Sequence, residues 1–166
     1  MSDTDQGVSP ERYMVVPRTL IFLTRGEKLL LLKGANTKRL WAGLYNGVGG
    51  HVEKGEDIFS SARRELFEET GLSPSNLSLC GILTVDTGNN PGVCVFILKG
   101  EYPDGEPSLS AEGELEWISV SELSGVPLVA DLPVLLPRVL AFDTGDQPFI
   151  AHSGYDEGGN LSVNFF

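Results

Sequence analysis

Three glutamates, Glu65, Glu68 and Glu69, fall within five consecutive residues, directly behind Arg64. On a helix, residues three and four apart are neighbours, so Glu65 shares one broad face with both Glu68 and Glu69. Like charges at that spacing repel by about 0.2–0.5 kcal/mol per pair unless a cation sits among them. Magnesium is the natural occupant, because a hard ion takes oxygen ligands, keeps several waters and is held by a few carboxylates together with substrate phosphates. Manganese accepts the same oxygen set. Arg64 lies next to Glu65 and four residues before Glu68, where it could orient a carboxylate or form a plain helix salt bridge. A metal held by carboxylates neutralises the charge of an anionic partner and delivers a deprotonated water. The alternative for the same residues is a solvated acidic helix face.

These side chains need a helix and a framework to hold it. Ile58, Phe59, Ala62 and Leu66 recur at helical spacing, Asp57 or Glu56 can cap the start, and Gly71 suits the left-handed residue that ends it. Strands are predicted at 13–24 and 27–33, joined by a turn at Arg25 and Gly26, and the run LWAGLYNGVGGHVE leads into the helix. Further strands are predicted at 77–87 and 93–100 around the turn GNNPG, and at 115–120 before a short helical SEL. Asp131 to Phe142 reads as a second helix, with Pro133 suited to its first turn and Pro137 blurring its extent. Residues 148–166 alternate as a hairpin around Glu157 to Asn160.

At 166 residues the chain fits one domain, predicted to span 13–166, behind a polar, acidic tail at 1–12 that is expected to be disordered. That tail has no apolar run, and no stretch approaches the length of a membrane span, so neither a signal peptide nor an anchor is expected. The net charge of −11 leaves no basic stripe for a nucleic acid polymer, so a phosphate-bearing partner would be a small molecule reached through a metal. Cys80 and Cys94 lie in apolar strand-like runs and read as buried free thiols, which places the chain in the cytoplasm.

Residues 50–72 read GHVEKGEDIFSSARRELFEETGL. Gly50, Glu56, Arg64, Glu65, Leu66, Glu68, Glu69, Gly71 and Leu72 stand at every position of the Nudix box, and the chain therefore resembles the Nudix hydrolases. The resemblance implies an α+β fold, a mixed β-sheet sandwiched between α-helices. It also implies a magnesium-dependent pyrophosphohydrolase in which Glu65, Glu68 and Glu69 bind the metal with the Gly49 carbonyl. A glutamate beyond the box completes such sites. Glu112 is the choice here from its spacing to Trp117, with Glu114 and Glu116 as competitors. The general base is Glu68 or Glu65, with Glu112 third. Glu56 reads as structural, favouring the helix start and bridging to an arginine. Glu53 is a lesser metal candidate and His51 a loop residue. Lys33, Lys38, Arg39 and Lys54 are the cations nearest the box, and Lys33 and Arg39 are singled out for substrate phosphates.

The run LWAGLYNGVGG, the hairpin at the end and the spacing of Glu112 to Trp117 are similar to Nudix enzymes that clear oxidised purine nucleoside triphosphates, over most of the chain from Arg18 onward. The resemblance gives base reading to Asn46 and to an aspartate pair before the last helix, of which only Asp131 is present. Leu132 replaces its partner, and Val129 stands where a stacking tryptophan is found. The expected reaction converts a nucleoside triphosphate, such as an oxidised purine, to monophosphate and pyrophosphate. A pyrimidine triphosphate, an unmodified nucleotide or a nucleoside diphosphate sugar such as ADP-ribose are the other substrates, and a catalytically silent sensor domain or a prenyl diphosphate isomerase the rival classes. The oligomer is a monomer or a homodimer.

Overall fold

The computed structural model describes residues 6–102, 104–108 and 110–166. Its elements run β1 (Val15–Arg25), β2 (Lys28–Gly34), β3 (Tyr45–Asn46), α1 (Ile58–Thr70), β4 (Ser78–Val85), β5 (Gly92–Glu101) and β6 (Gly113–Ser119). A 3-10 turn (Val120–Gly125), α2 (Leu132–Ala141), β7 (Phe149–Tyr155) and β8 (Leu161–Phe165) follow. The strands form one mixed sheet in the order β3-β2-β1-β5-β4-β7-β8, with β6 also paired to β2. β1 and β5 are parallel over ten residue pairs, from Val15 with Gly92 to Thr24 with Glu101, and β2 runs antiparallel to both β1 and β6. Of the expected disordered tail, residues 1–5 lie outside the described residues. Residues 6–12 form largely exposed turns, and the Arg12 carbonyl accepts from the Asn90 side chain at 3.0 Å.

The centre of the sheet reads as continuous apolar runs, Leu20–Leu23 and Leu29–Leu32, because helices cover both faces. On one side Ala62 and Leu66 of α1 pack on Ile21, Leu23, Leu30, Leu32 and Leu98. On the other, Leu132, Leu135, Leu136 and Val139 of α2 pack on Phe22, Leu29, Leu31 and Ile97. This alternation along β1 and β2 makes the expected sandwich, and it divides every strand residue between an α1 side and an α2 side.

Asp57, rather than Glu56, caps α1: its Oδ1 accepts from the amides of Phe59 at 2.9 Å and Ser60 at 3.0 Å. Gly71 closes the helix at φ 72°, its amide bonded to the Phe67 carbonyl at 2.8 Å. α2 carries Pro133 in its first turn, where no helical amide is needed. Pro137 lies within it and forfeits the bond to the carbonyl four residues back. The far end of α2 is held from the sheet. Lys99 of β5 donates to the Leu140 carbonyl at 3.0 Å and the Phe142 carbonyl at 2.7 Å, meeting both the orphan carbonyls and the negative end of the helix dipole. Lys99→Met is expected to lower stability in urea by about 1.5 kcal/mol, the low end for a charged donor lost from partly exposed carbonyls, with turnover unchanged. An unaltered midpoint would show that water replaces the lysine at no cost.

Cys80 is buried and donates to the Ile97 carbonyl at 3.3 Å, while Cys94 is partly buried and opposite Thr84. The two thiols are free, as expected, and out of register with each other, but Cys94 is only partly buried where both were expected to be buried. Burial pushes the Cys80 thiol up to about 12. Among the described residues, no helix is long and apolar enough to cross a membrane.

Candidate functional site

The stretch before α1 is laid along β1 by its backbone. Ile21 and Val48 exchange hydrogen bonds of 2.6 and 3.1 Å, Thr19 donates to the Gly50 carbonyl at 2.9 Å, and Arg18 bridges to His51. The approach is so close that a Cβ on Gly49 would sit 2.1 Å from the Thr19 carbonyl oxygen, and one on Gly50 would sit 2.4 Å from the Glu65 carboxyl. Only glycine fits at Gly49, where the neighbour is backbone, while at Gly50 a side chain would displace the Glu65 carboxylate that lies against it.

Arg64 is the hub of the helix face. Its Nε and Nη2 grip both oxygens of Glu56 at 2.6 and 2.9 Å, its Nη1 reaches Glu65 at 2.9 Å and Glu68 at 3.3 Å, and its Nη2 also donates to the His51 carbonyl at 3.2 Å. The two-pronged grip of the guanidinium holds the Glu56 carboxyl down at about 2. Glu56 in turn accepts from the Glu53 amide at 3.1 Å, so the expected bridge between Glu56 and an arginine exists and closes the box loop. Glu53 joins it through its backbone, and His51 through its carbonyl.

Glu69 differs from its neighbours. Its Oε2 is buried without a hydrogen-bond partner. Burial first, then the charges of Glu65, Glu112 and Glu68, push its carboxyl up to about 7, against the pull of Lys38. Glu112 is thus close enough for its charge to be felt at Glu69, and it is itself ion-paired to Lys38 Nζ. Glu114 and Glu116 lie within β6 and share one face of it, whereas Glu112 precedes the strand. They stand opposite Lys33 and Leu31 on β2, and Glu116 accepts from the Tyr45 hydroxyl at 2.9 Å on the α2 side.

The segment carrying Glu112 is positioned by residues that local sequence pattern does not mark. Arg25 lies 4.2 Å from the centre of the Trp117 ring. It donates to the Tyr102 carbonyl at 3.2 Å, to Glu106 at 2.9 Å and to the Gly105 carbonyl. The Ser108 amide binds the Thr70 carbonyl at the end of α1 at 2.8 Å, and the Ala35 amide binds the Glu112 carbonyl at 3.2 Å. Contacts between residues some eighty positions apart in the chain leave no local periodicity to read.

The residues expected to read a base share one end of the sheet. The Tyr45 amide donates to the Pro127 carbonyl at 2.8 Å, and the Tyr45 carbonyl accepts from the Val129 amide at 3.0 Å. Asn46 and Asp131 therefore flank a common junction. Asn46 lies opposite Leu32, its side chain accepting from the Gly47 amide at 2.8 Å. Asp131 stands at the start of α2 without a side-chain cap, and burial raises its carboxyl above the usual range. Val129 and Leu132 are core residues, 8% and 0% exposed. Lys33 Nζ lies 5.7 Å from the Tyr45 ring centre, and Arg39 is exposed in the loop between β2 and β3.

Among the described residues, no three carboxylate, imidazole or thiol side chains converge closely enough to hold a metal by themselves. The donor set nevertheless suits one. A buried, partnerless carboxylate oxygen set among three other carboxylates is what a hard cation would satisfy, with substrate phosphates and water completing its shell.

The glutamate-bearing helix between two tight glycines, on a sheet sandwiched by two helices, is a Nudix arrangement, and residues 14–139 match the NUDIX domain family. The chain belongs to the Nudix family of hydrolases. It is 31% identical to the oxidized purine nucleoside triphosphate hydrolase of Mus musculus over 74% of this chain and 78% of that one. It is 38% identical to the NAD-capped RNA hydrolase NudC of Haemophilus influenzae, over 66% of this chain but only 41% of the relative. Among solved structures, a MutT protein from Bacillus halodurans superposes with a TM-score of 0.76 at 27% identity, covering 91% of this chain and 97% of that one.

Proposed function

We propose that this enzyme is a magnesium-dependent pyrophosphohydrolase that converts a nucleoside triphosphate, an oxidised purine nucleotide in the preferred version, to monophosphate and pyrophosphate. The observation that carries the reading is the buried, partnerless oxygen of Glu69 beside Glu65, Glu68 and Glu112. Glu65, Glu68, Glu69, Glu112 and the Gly49 carbonyl would hold magnesium, or manganese in its place. When bound, the ion neutralises phosphate charge and lowers the pKa of water.

The chain's own groups do the rest. Arg64 holds Glu65, whose carboxylate lies against Gly50. Glu68 is the most exposed of the three, bound to Arg64 only at 3.3 Å, and is the preferred acceptor of the proton from the attacking water, ahead of Glu65 and Glu112. The water oxygen bonds to a phosphorus flanking the bridge between the α- and β-phosphates, the bridging P–O bond breaks, and its electron pair leaves with the departing phosphate group. Lys33 and Arg39 supply positive charge toward the phosphates. Asn46 and Asp131, which flank the Tyr45–Val129 junction, would meet the base. The free thiols fit a reducing, cytoplasmic setting.

A second reading, a nucleoside diphosphate sugar such as ADP-ribose, is favoured by the burial of Val129 and Leu132 in the core, which leaves base recognition to Asn46 and Asp131. Both readings are tested by following phosphate and pyrophosphate release over ordinary and oxidised triphosphates, nucleoside diphosphate sugars and dinucleoside polyphosphates, with magnesium and with a chelator. One preferred triphosphate yielding pyrophosphate, with activity abolished by the chelator, is expected. Preferred cleavage of a sugar nucleotide would move the assignment to the second reading. No turnover across the panel would leave a silent ligand-sensing domain.

A further inference from the structure

Among the described residues, Trp41 is the one non-glycine residue with positive φ, at 59°. A bulky aromatic side chain seldom occupies that region, and such outliers cluster where a side chain is held for a purpose. Nothing in the core accounts for it. Trp41 is 40% exposed and follows Leu40, which is 63% exposed. A cation meets the indole, and backbone contacts hold the residue that carries it. The Arg18 guanidinium lies 5.7 Å from its ring centre, its carbonyl accepts from the Leu44 amide at 3.0 Å, and Gly34 packs so closely on it that a Cβ there would sit 2.5 Å from the Trp41 carbonyl oxygen.

The loop that carries Trp41 reaches the candidate site through Lys38, three residues before it, which pairs with Glu112, whose charge reaches Glu69. Arg18 of β1, beneath the indole, pairs through its backbone with His51, next to the glycine against which Glu65 lies. Alternation along β1 puts Arg18 on the same side as Leu20 and Phe22, the α2 side. There Leu20, Leu44 and Leu128 are partly buried around Tyr45.

We propose that Trp41, backed by Arg18, is a stacking platform for the nucleobase of the substrate and sets which bases the enzyme accepts. The proposal rests on the nucleotide reading above. A substrate with its phosphates at the carboxylates and Lys38 would bring its base toward an exposed indole fixed in a strained conformation. An aromatic face takes any base by stacking, and an arginine at a π-face adds cation–π attraction. The strain would then be retained for binding, since glycine at this position would remove it.

The test measures binding of a nucleoside monophosphate and of ribose 5-phosphate to wild type, Trp41→Gly and Trp41→Phe by calorimetry, alongside thermal unfolding and KM. Trp41→Gly is expected to be at least as stable as wild type, to bind the nucleotide about tenfold more weakly, and to bind ribose 5-phosphate unchanged. Trp41→Phe should recover most of the loss. Equal weakening for both ligands, or no weakening in a folded Trp41→Gly protein, would overturn the platform while leaving the hydrolase reading intact. Failure of wild type to bind any nucleotide, with no triphosphate turned over, would overturn both.

Discussion

Glu69→Gln is expected to lower turnover on the order of a thousandfold while leaving the fold intact. A carboxylate in charge stabilisation at a metal supports several kcal/mol of barrier reduction, and each 1.36 kcal/mol is tenfold in rate. Glutamine keeps the shape of the side chain but removes the charge that would hold the cation. Stability should move the other way. The Glu69 carboxyl is raised to about 7 by burial and by its acidic neighbours, from an ordinary value of 4.5. The folded, metal-free protein therefore binds more protons than the unfolded chain between those limits, and stability falls as pH rises through that window. Glu69→Gln should flatten this slope, so that the variant gains on wild type toward neutral pH in chelator. Normal turnover in a folded Glu69→Gln protein would remove Glu69 from the metal set. A wild-type advantage that grows with pH would contradict its burial as an acid.

The second large effect is expected at Arg64. Arg64→Ala leaves Glu56 and Glu65, with side chains 22% and 15% exposed, without their cation, and frees the His51 carbonyl from one of its donors. Groups that orient metal-binding side chains typically cost ten- to a hundredfold when removed, and turnover should fall by roughly that factor with a lower Tm. Arg64→Lys should recover only part of either, because an ammonium cannot grip both Glu56 oxygens at once. The pH signature separates this pair from Glu69. Glu56 is held down at about 2, so its contribution is complete above its unfolded value of 4.5 and is lost as pH falls toward 2. Glu56→Gln should therefore weaken wild-type stability at neutral pH and converge with it in acid. If Arg64→Ala turned over normally, the ion pairs around it would be an ordinary helix face.

Local pattern carried much of this site. The apolar spacing of Ile58, Phe59, Ala62 and Leu66 set one face of α1, and the glutamate spacing set the other, because 3.6 residues per turn leaves no freedom in that choice. Asp57 and Gly71 marked the helix ends through chemistry confined to a single turn. Of the two cap candidates, Asp57 takes the first-turn amides, while Glu56 is engaged by Arg64, eight residues away.

Beyond one turn or one hairpin, the decision passed to the fold. The strand pairing of β2 with β6 sends Glu114 and Glu116 toward Lys33 and Tyr45, while Glu112, just before the strand, stays beside Lys38 and near Glu69. Three glutamates at alternate positions look alike in sequence, and what separates them is where the strand begins, with Glu112 before it and Glu114 and Glu116 inside its pairing with β2. The same holds for Lys99 on the end of α2, Arg25 over Trp117 and Arg18 beneath Trp41. The amino-acid sequence by itself determined the family, the helix and the set of carboxylates, because those follow from residue type and short spacing. Which carboxylate is buried, which cation answers each and where the strained tryptophan stands were decided by tertiary packing, since burial and long-range charge exist only once distant segments share one space.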